Sequence, residues 1–273
     1  MYKIDRKHYD INLNIFKGAN PSYSGILQGE CRGEVYVDTI DRPSISLVFS
    51  DPVGGFSIMG ETDDSSRIED LCQYIRQDLF PDFKAWGWQG FEFSFEKDQT
   101  RDQFLALFSD FKLDLEDEYF YTCQGTCPPI DIPGYVIKRL DSALLPSLQE
   151  GKIDGGQEVL DKIIYAWHSL EDFIKRSVGY LVLSGDHVAG IIIGSARFDN
   201  HLVIDIKTIE GHRKKGLAYW MTQHFLKACH DQNLIAHWNC VDSNTGSKRT
   251  AEKAGFQLNK IKPYYWLPFE NQV

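Results

Sequence analysis

The sequence predicts a mixed α/β protein with two domains, and three observations support this prediction. The chain has 273 residues, 42% of them hydrophobic and 25% charged, which suits a globular protein of two ordinary domains. Apolar residues alternate in some short segments and follow the helical period in others. The two kinds of segment take turns along the chain, which favours a mixed sheet with helices on both faces.

The first predicted domain, residues 1–129, is a small α/β unit. Alternating segments predict four strands, at 34–40, 44–49, 54–61 and 91–96. Segments with the helical period predict two helices, at 66–80 and 101–111. Asp63, Asp64 or Ser65 can cap the first helix. The Pro-Pro pair in "CQGTCPPIDIPG" cannot continue a helix or a central strand, so we expect the domain to end near residue 129.

The second predicted domain, residues 130–273, follows the order β-α-α-β-β-β-α-β-α-β. Strands are expected at 135–140, 179–185, 187–198, 201–210 and 235–240 and from 256 onward. Helices are expected at 141–149 and 156–177, from Arg213 onward, and at 244–255.

Composition excludes several classes of protein. There are 29 basic and 39 acidic residues, a formal charge of −10, which disfavours a nucleic-acid partner. No apolar run approaches the roughly 18 residues of a membrane span, and the N-terminus lacks the pattern of a signal peptide, so we expect a cytoplasmic protein. The six cysteines show no regular spacing, which indicates reduced thiols. Cys123 and Cys127 have no second ligand pair, and we expect no metal site.

The segment "IEGHRKKGLAYW", residues 209–220, points to an anion-binding site. It follows a predicted strand and opens an amphipathic helix with Arg213, Lys214, Lys215 and Gly216. The N-terminus of a helix is already the positive end of its dipole, so cations there have little use in folding. Free N–H groups, the dipole and the added cations would together bind a pyrophosphate. The letters match neither a P-loop nor the glycine pattern of a dinucleotide fold.

The pattern R-x-x-G-x-A at this helix start resembles motif A of the GNAT superfamily of N-acetyltransferases. The later stretch "AHWNCVDSNTGSKRTAEKAGF" is similar to the bacterial branch that includes the zwittermicin A resistance-type enzymes. The resemblance implies the GNAT fold and an acyltransferase that uses acetyl-CoA to acetylate a primary amine of a small molecule. It is weaker over the first domain, where "GETDDSSRIEDL" is acidic and lacks the motif. We therefore expect that domain to be a structural or acceptor-side unit without its own coenzyme, with a degenerate copy of the fold as one form of it.

The resemblance also implies which residues meet the coenzyme. The strand contributes Ile206, Lys207 and Thr208 through its backbone, and the motif contributes Arg213, Lys214, Lys215, Gly216, Leu217 and Ala218. The second helix contributes Asn244 and Ser247. The alternative is that Asn244 is an N-cap, a role that coenzyme binding does not exclude.

Acetyl transfer to an amine also needs a base and a proton donor. Asp205 is the candidate base, because a carboxylate in a buried cleft can accept a proton near neutrality; an ion pair with Lys207 or another cation is an equal alternative. Many family members place a tyrosine where this chain has Ala251. The acid could then be Tyr264, Tyr265, Ser247 or water. A non-catalytic acyl-CoA-binding or sensor protein is the competing hypothesis, and a homodimer is left open.

Overall fold

A computed structural model describes residues 1–6, 18, 20–126 and 128–269. Twelve strands are found within those ranges: β1 Tyr2–Ile4, β2 Gly33–Val37, β3 Ile45–Ser50, β4 Gly55–Gly60, β5 Gly90–Phe95, β6 Asp114–Cys123, β7 Val136–Arg139, β8 Gly179–Ser184, β9 His187–Phe198, β10 His201–Thr208, β11 Ile235–Val241 and β12 Gln257–Pro268. The α-helices of the same ranges are α1 Pro21–Leu27, α2 Ser65–Tyr74, α3 Phe80–Ala85, α4 Asp98–Leu107, α5 Leu145–Gln149, α6 Gly156–Ala166, α7 Leu170–Arg176, α8 Leu217–Asp231 and α9 Thr245–Lys253. Among the described residues, no helix combines the length and the apolar character that crossing a membrane requires.

The chain forms two compact units, 1–117 with 262–273 and 118–261. These bounds differ from the predicted boundary near 129. The second half of β6 pairs with β11, which assigns it to the second unit. The end of β12 pairs with β5, which returns the chain to the first unit.

The first unit is built on a sheet with the strand order β1-β2-β3-β4-β5-β12. All neighbours are antiparallel except β4 and β5, which are parallel. Its core is rich in aromatic side chains: Phe91, Phe93, Phe104 and Phe108 are each fully buried. Such rings bury large apolar areas and dominate the energetics of a core.

The second unit contains the order β6-β11-β10-β9-β8-β7, in which only β10 and β11 are parallel. Helices cover both faces of this sheet. Lys162 and Glu158 of α6 form ion pairs with Asp205 and Lys207 of β10. Alternate residues of β10 point the other way. On that side Gly190, the partner of Thr208, lies so close to α8 that a Cβ there would meet the Met221 side chain at 2.9 Å.

The two units repeat one order of elements. Each has three antiparallel strands (β2–β4 and β8–β10), then a helix, then a strand parallel to the third strand of the set. A further helix follows in each, α4 and α9. The strands after these helices, β6 and β12, pair antiparallel with β11 and β5 respectively. The predicted class, a mixed α/β protein, is confirmed.

One predicted helix, 156–177, was wrong as a single element. The chain leaves the helical path at Trp167, whose indole Nε1 donates to the carbonyl of Gly194 at 2.9 Å. Ser169 then caps a new helix by accepting a hydrogen bond from the N–H of Asp172. The periodic pattern continued across this break because both helices bury apolar residues.

The predicted elements also omitted β1, α1 and β6. All seven residues of α1 are buried, so it has no polar face to mark a helical period. The first half of β6 is acidic, so the alternation of apolar and polar residues that predicts a strand is not evident there. Both elements are defined by their packing more than by their pattern.

Candidate functional site

The site begins where two strands separate. Strands β10 and β11 pair only over three residues, His201–Ile235, Leu202–Ala236 and Val203–His237. Beyond that point β10 stays paired with β9 as far as Thr208, and β11 stays paired with β6 as far as Val241. A β-bulge in β9 accompanies the separation, at the register shift opposite Val203 and Ile204. A gap therefore opens between the carboxyl ends of the two parallel strands.

The loop after β10 forms the next wall of the site. A short 3₁₀ turn, Glu210–His212, leads into it. Two residues then take positive φ angles, 61° at Lys214 and 84° at Gly216. Consequently α8 begins at Leu217 and not at Arg213 as predicted: the three cations lie in the loop that precedes the helix.

The start of α8 offers unpaired backbone donors. Gly216 occupies the N-cap position, and no side chain caps the helix. The first intrahelical bond joins the N–H of Trp220 to the carbonyl of Gly216 at 3.0 Å. The N–H groups of Leu217, Ala218 and Tyr219 precede that bond, so the geometry of a helix gives them no partner within it. They are available to an anion.

The start of α9 lies across the gap from this loop. The side chain of Asn244 accepts a hydrogen bond from the N–H of Ser247 at 3.1 Å, so Asn244 caps α9. The hydroxyl of Ser247 accepts one from the indole of Trp238 at 2.8 Å. These two bonds fix the first turn of α9 against β11.

These elements enclose a cavity of ≈ 590 Å³. Five of its lining residues are basic: Lys207, Arg213, Lys214, Arg249 and Lys253. The ammonium of Lys207 pairs with Glu158 of α6, which leaves the other four as the cations of the cavity. Of the described residues that line it, none carries a carboxylate. This concentration of positive charge in a chain of formal charge −10 favours an anionic ligand.

Most of the predicted coenzyme residues come together here. Ten line the cavity: Ile206, Lys207, Thr208, Arg213, Lys214, Gly216, Leu217, Ala218, Asn244 and Ser247. Lys215 does not, because its ammonium turns away and donates to the hydroxyl of Tyr135 at 3.0 Å. The same hydroxyl lies 2.9 Å from Nδ1 of His212, so Tyr135 contacts the loop at two residues, Lys215 and His212.

Asp205 forms the ion pair that was the alternative to a catalytic role. Its partner is Lys162 of α6, not the neighbouring Lys207, which pairs with Glu158. Asp205 does not line the cavity. Side chains alternate along β10, so Asp205 lies on the face towards α6 and Ile206 lies on the other face.

The candidate acids Tyr264 and Tyr265 lie in the first unit. Tyr265 is 7% exposed and its ring stacks on that of Phe93 at 5.3 Å between centroids. Burial raises the pKa of its phenol. This packing accounts for Tyr265 as a core residue. Ala251, at the position where the resemblance implies a tyrosine, is fully buried in α9.

Sequence reasoning missed part of the cavity wall. Seven further residues line it: His212, Tyr219, Trp238, Gly246, Arg249, Thr250 and Lys253. One signal was available, because Arg249 and Lys253 are four residues apart on a predicted helix and must share a face. Where that face would point depended on the packing of α9.

The donor set suits a phosphorylated coenzyme. Cations, helix-start N–H groups and hydroxyls are the partners that phosphate oxygens take. The hydroxyl oxygen of Thr208 is buried and has no hydrogen-bond partner among the described residues, which leaves it free for a ligand. For metals, the described chain has no group of three or more His, Cys, Asp or Glu side chains that could hold an ion. Cys127, the second half of the cysteine pair considered above, lies outside the described residues.

A curated relative matches part of the chain. The chain is 32% identical over 133 residues to the uncharacterized N-acetyltransferase YdfB of Bacillus subtilis (strain 168), a match covering 48% of each protein. The chain thus spans about half the length of this relative.

Solved structures share the fold. A GCN5-related N-acetyltransferase-like protein from Streptococcus suis 89/1591 has a TM-score of 0.58 at 19% identity, covering 86% of this chain and 88% of that one. A GCN5-related N-acetyltransferase from Kribbella flavida also has 0.58, at 13% identity over 90% and 93%. A tandem GNAT protein from the clavulanic acid biosynthesis pathway has 0.54, at 12% identity over 90% and 86%.

The model of the GNAT acetyltransferase family matches residues 14–265, which is most of the chain. Together with the loop and cavity described above, this match identifies the chain as a member of the GNAT acetyltransferase family.

Proposed function

We propose that this protein transfers an acetyl group from acetyl-CoA to a primary amine of a small molecule. The observation that carries the proposal is the cavity at the start of α8: its described lining residues include four cations besides the ion-paired Lys207 and no carboxylate. The positive charge of this cavity would attract the phosphate groups of the coenzyme, and the chain belongs to the GNAT family.

Each wall of the cavity has a role in this proposal. The N–H groups of Leu217 to Tyr219, with Arg213 and Lys214, hold the pyrophosphate. The backbone of β10 from Ile206 to Thr208 borders the gap and lies beside the pantetheine arm. Bound acetyl-CoA supplies the thioester, and the chain contributes its placement beside the acceptor.

The proposed reaction requires two proton transfers, one from the amine and one to the departing thiolate. Asp205 is the proposed base, and its ion pair with Lys162 gives it a structural role as well. Water or Ser247 is the proposed source of the proton for the departing thiolate, since Tyr265 is packed in the core of the first unit. The resemblance to the zwittermicin A resistance-type branch suggests an antibiotic-like amine as the acceptor.

The first experiment is binding. Isothermal titration calorimetry with acetyl-CoA should give saturable binding, and Arg213→Glu should weaken it at least tenfold by reversing a charge at the pyrophosphate. Lys215→Glu is the matched control, because Lys215 bonds to Tyr135 and does not line the cavity. No binding at millimolar coenzyme would overturn the proposal.

A second experiment tests transfer itself. Release of free thiol is followed while aminoglycosides, polyamines and amino acids are offered as acceptors. Turnover with any of them excludes the competing hypothesis of a non-catalytic acyl-CoA sensor, which the alanine at position 251 supports. Coenzyme binding without turnover across the panel would favour the sensor.

A further inference from the structure

The two strands that border the gap present different residues to the two faces of the sheet. Ile206 of β10 and Trp238 of β11 line the cavity proposed for the coenzyme. Side chains alternate along a strand, so Asp205 and Asn239 lie on the opposite face. On that face Asp205 pairs with Lys162 of α6. Residues on this second face are therefore separate from the phosphate-binding wall.

The register places Asp205 and Asn239 at matching positions on the two edges of the gap. The last pair of β10 with β11 is Val203 with His237, and each of the two residues lies two positions beyond it. A contact at the base of the gap supports the shared face, because Nδ1 of His201 lies 2.6 Å from Nε2 of His237. The gap thus has a carboxylate on one edge and a carboxamide on the other.

The carboxamide of Asn239 has an unsatisfied oxygen. This oxygen is buried and accepts no hydrogen bond from any described residue. A buried acceptor without a donor has lost its hydration and gained nothing in return, which destabilises the free protein. The residue as a whole is half-buried, and an amide turns easily about its last torsion. A ligand that donates an N–H would explain why an amide stands here.

A neutral primary amine has the groups that the two edges of the gap require. It carries two N–H bonds and one lone pair. One N–H can donate to Asn239 and the other to Asp205, because a carboxylate accepts several hydrogen bonds and its ion pair with Lys162 uses only part of that capacity. The lone pair is then left for the carbonyl carbon of the thioester.

We propose that the side-chain oxygen of Asn239 binds an N–H of the acceptor amine and selects primary over secondary amines. This inference rests on the proposed function, with Asp205 as its base.

The balance of the reaction agrees with this arrangement. The nitrogen lone pair forms the C–N bond, and the C–S bond breaks, so the thiolate leaves with the electron pair and takes a proton from water or Ser247. The N–H that faces Asp205 gives its proton to the carboxylate, and the N–H that faces Asn239 stays in the amide product. A secondary amine has one N–H, which the base must take, so none is left for Asn239.

Steady-state kinetics test this assignment with kanamycin, spermidine and L-lysine, each beside the same compound with its primary amines monomethylated. The wild-type protein should show a kcat/KM at least about tenfold higher for the primary amine that reacts than for its methylated form. Asn239→Leu should lower kcat/KM for the primary amine at least about tenfold and narrow the preference to about threefold or less.

Two further measurements on Asn239→Leu distinguish amine binding from a structural role. Its affinity for acetyl-CoA in calorimetry should be unchanged. Its melting temperature should stay the same or rise, because the variant removes an unpaired buried oxygen.

Asn259→Leu is the matched control. The amide of Asn259 donates to the hydroxyl of Thr122 at 2.8 Å, so its hydrogen bond lies within the protein. This variant should leave both kcat/KM and the preference for primary amines unchanged.

The outcomes separate the Asn239 site from transfer itself. An unchanged kcat/KM or an unchanged preference in Asn239→Leu overturns the site and leaves the proposed function standing. A lower melting temperature together with weaker acetyl-CoA binding overturns the site as well, since Asn239 would then be structural. If acetyl-CoA binds to the wild-type protein but none of the three amines reacts, the proposed transfer fails, and this site fails with it.

Discussion

Gly216 shows why the motif contains a glycine. Its φ of 84° lies in the left-handed region, where a side chain costs roughly 1–2 kcal/mol. The space around it is not the reason, because a Cβ there would meet the Ile132 side chain at an ordinary 3.6 Å. The residue is needed for the turn that aims the first N–H groups of α8 into the cavity.

Gly216→Ala should therefore lower both stability and affinity. We expect a loss of about 1 kcal/mol in the free energy of unfolding, and weaker acetyl-CoA binding as the loop turns away from its left-handed conformation. Gly185→Ala is the control: Gly185 has a φ of 65° in the turn between β8 and β9, with open space around it. It should cost similar stability and no affinity. Denaturant unfolding and calorimetry measure the two effects, and unchanged affinity in Gly216→Ala would count against the loop.

Asp205 can serve as a base, as half of an ion pair, or as both. If it is the base, Asp205→Asn should lower kcat by about 10²-fold or more without changing the affinity for acetyl-CoA. Lys162→Met removes the other half of the ion pair and is the matched variant. Steady-state kinetics with an active acceptor decide the matter. Equal losses of stability in the two variants, with kcat unchanged, would leave Asp205 a structural role only.

The histidine pair at the base of the gap predicts a pH dependence of stability. Nδ1 of His201 lies 2.6 Å from Nε2 of His237. Burial, followed by the charges of His201 and Lys260, lowers the pKa of His237 to about 3. Between that value and the ordinary pKa of about 6.5, the unfolded chain binds more protons than the folded one. The free energy of unfolding therefore falls as the pH drops through this window, by up to about 1.4 kcal/mol per pH unit for one proton.

His237→Gln should flatten that slope in urea unfolding measured across the window. His187 is the opposite case, because a hydrogen bond to Asp154 raises its pKa. The stabilisation of the fold by protonated His187 is present at low pH and fades as the pH rises above about 6.5. His187→Gln should accordingly leave the acid slope in place. A slope that His237→Gln does not change would show that other groups cause the acid sensitivity.

At the scale of elements, the separation of β10 from β11 is the feature that makes the site. Residues 204–208 of β10 have a strand partner in β9 but none in β11. Amides on the side of the gap are open to solvent or to a ligand.

Hydrogen exchange should detect a ligand in this gap. Acetyl-CoA should slow exchange in a peptide covering 204–208, because the ligand's arm would lie against that edge. A peptide from residues 179–184 of β8, which has strands on both sides, is the internal control and should not change. Slower exchange in both peptides would indicate general stabilisation instead.

The limits of sequence reasoning also appear at this scale. The strands of the second unit were predictable because their apolar runs are bounded by turns. The start of α8 was not, since Lys214 and Gly216 suit either a helix or a loop, and only the positive φ angles decide between them. The cavity wall on α9 was missed because a helical period shows which residues share a face and not what that face meets.

For the whole molecule, the repeated order of elements raises the question of a second coenzyme site. In the first unit the equivalent helix, α2, is capped by Asp64. That carboxylate accepts hydrogen bonds from the N–H of Ser66 at 3.1 Å and from its hydroxyl at 2.7 Å. An internal anion thus occupies the position that is open at α8. We propose that the first unit is a copy of the fold without its own coenzyme.

Binding stoichiometry tests this proposal. Calorimetry should give one acetyl-CoA per chain, and Arg213→Glu should leave no residual second site. Asp64→Ala should lower the stability through the lost cap and should not change the stoichiometry. Two bound coenzymes per wild-type chain would contradict it.

The sequence by itself determined the fold class and the chemistry at the start of α8, because alternation, helical period and a run of cations are local properties of the chain. Tertiary structure decided where those properties meet. It divided the chain at 117 and 261 through strand pairing, turned Lys215 out of the cavity towards Tyr135, paired Asp205 with Lys162, and brought Arg249 and Lys253 to the cavity. Each of these depends on contacts between residues distant in sequence, which no local pattern encodes.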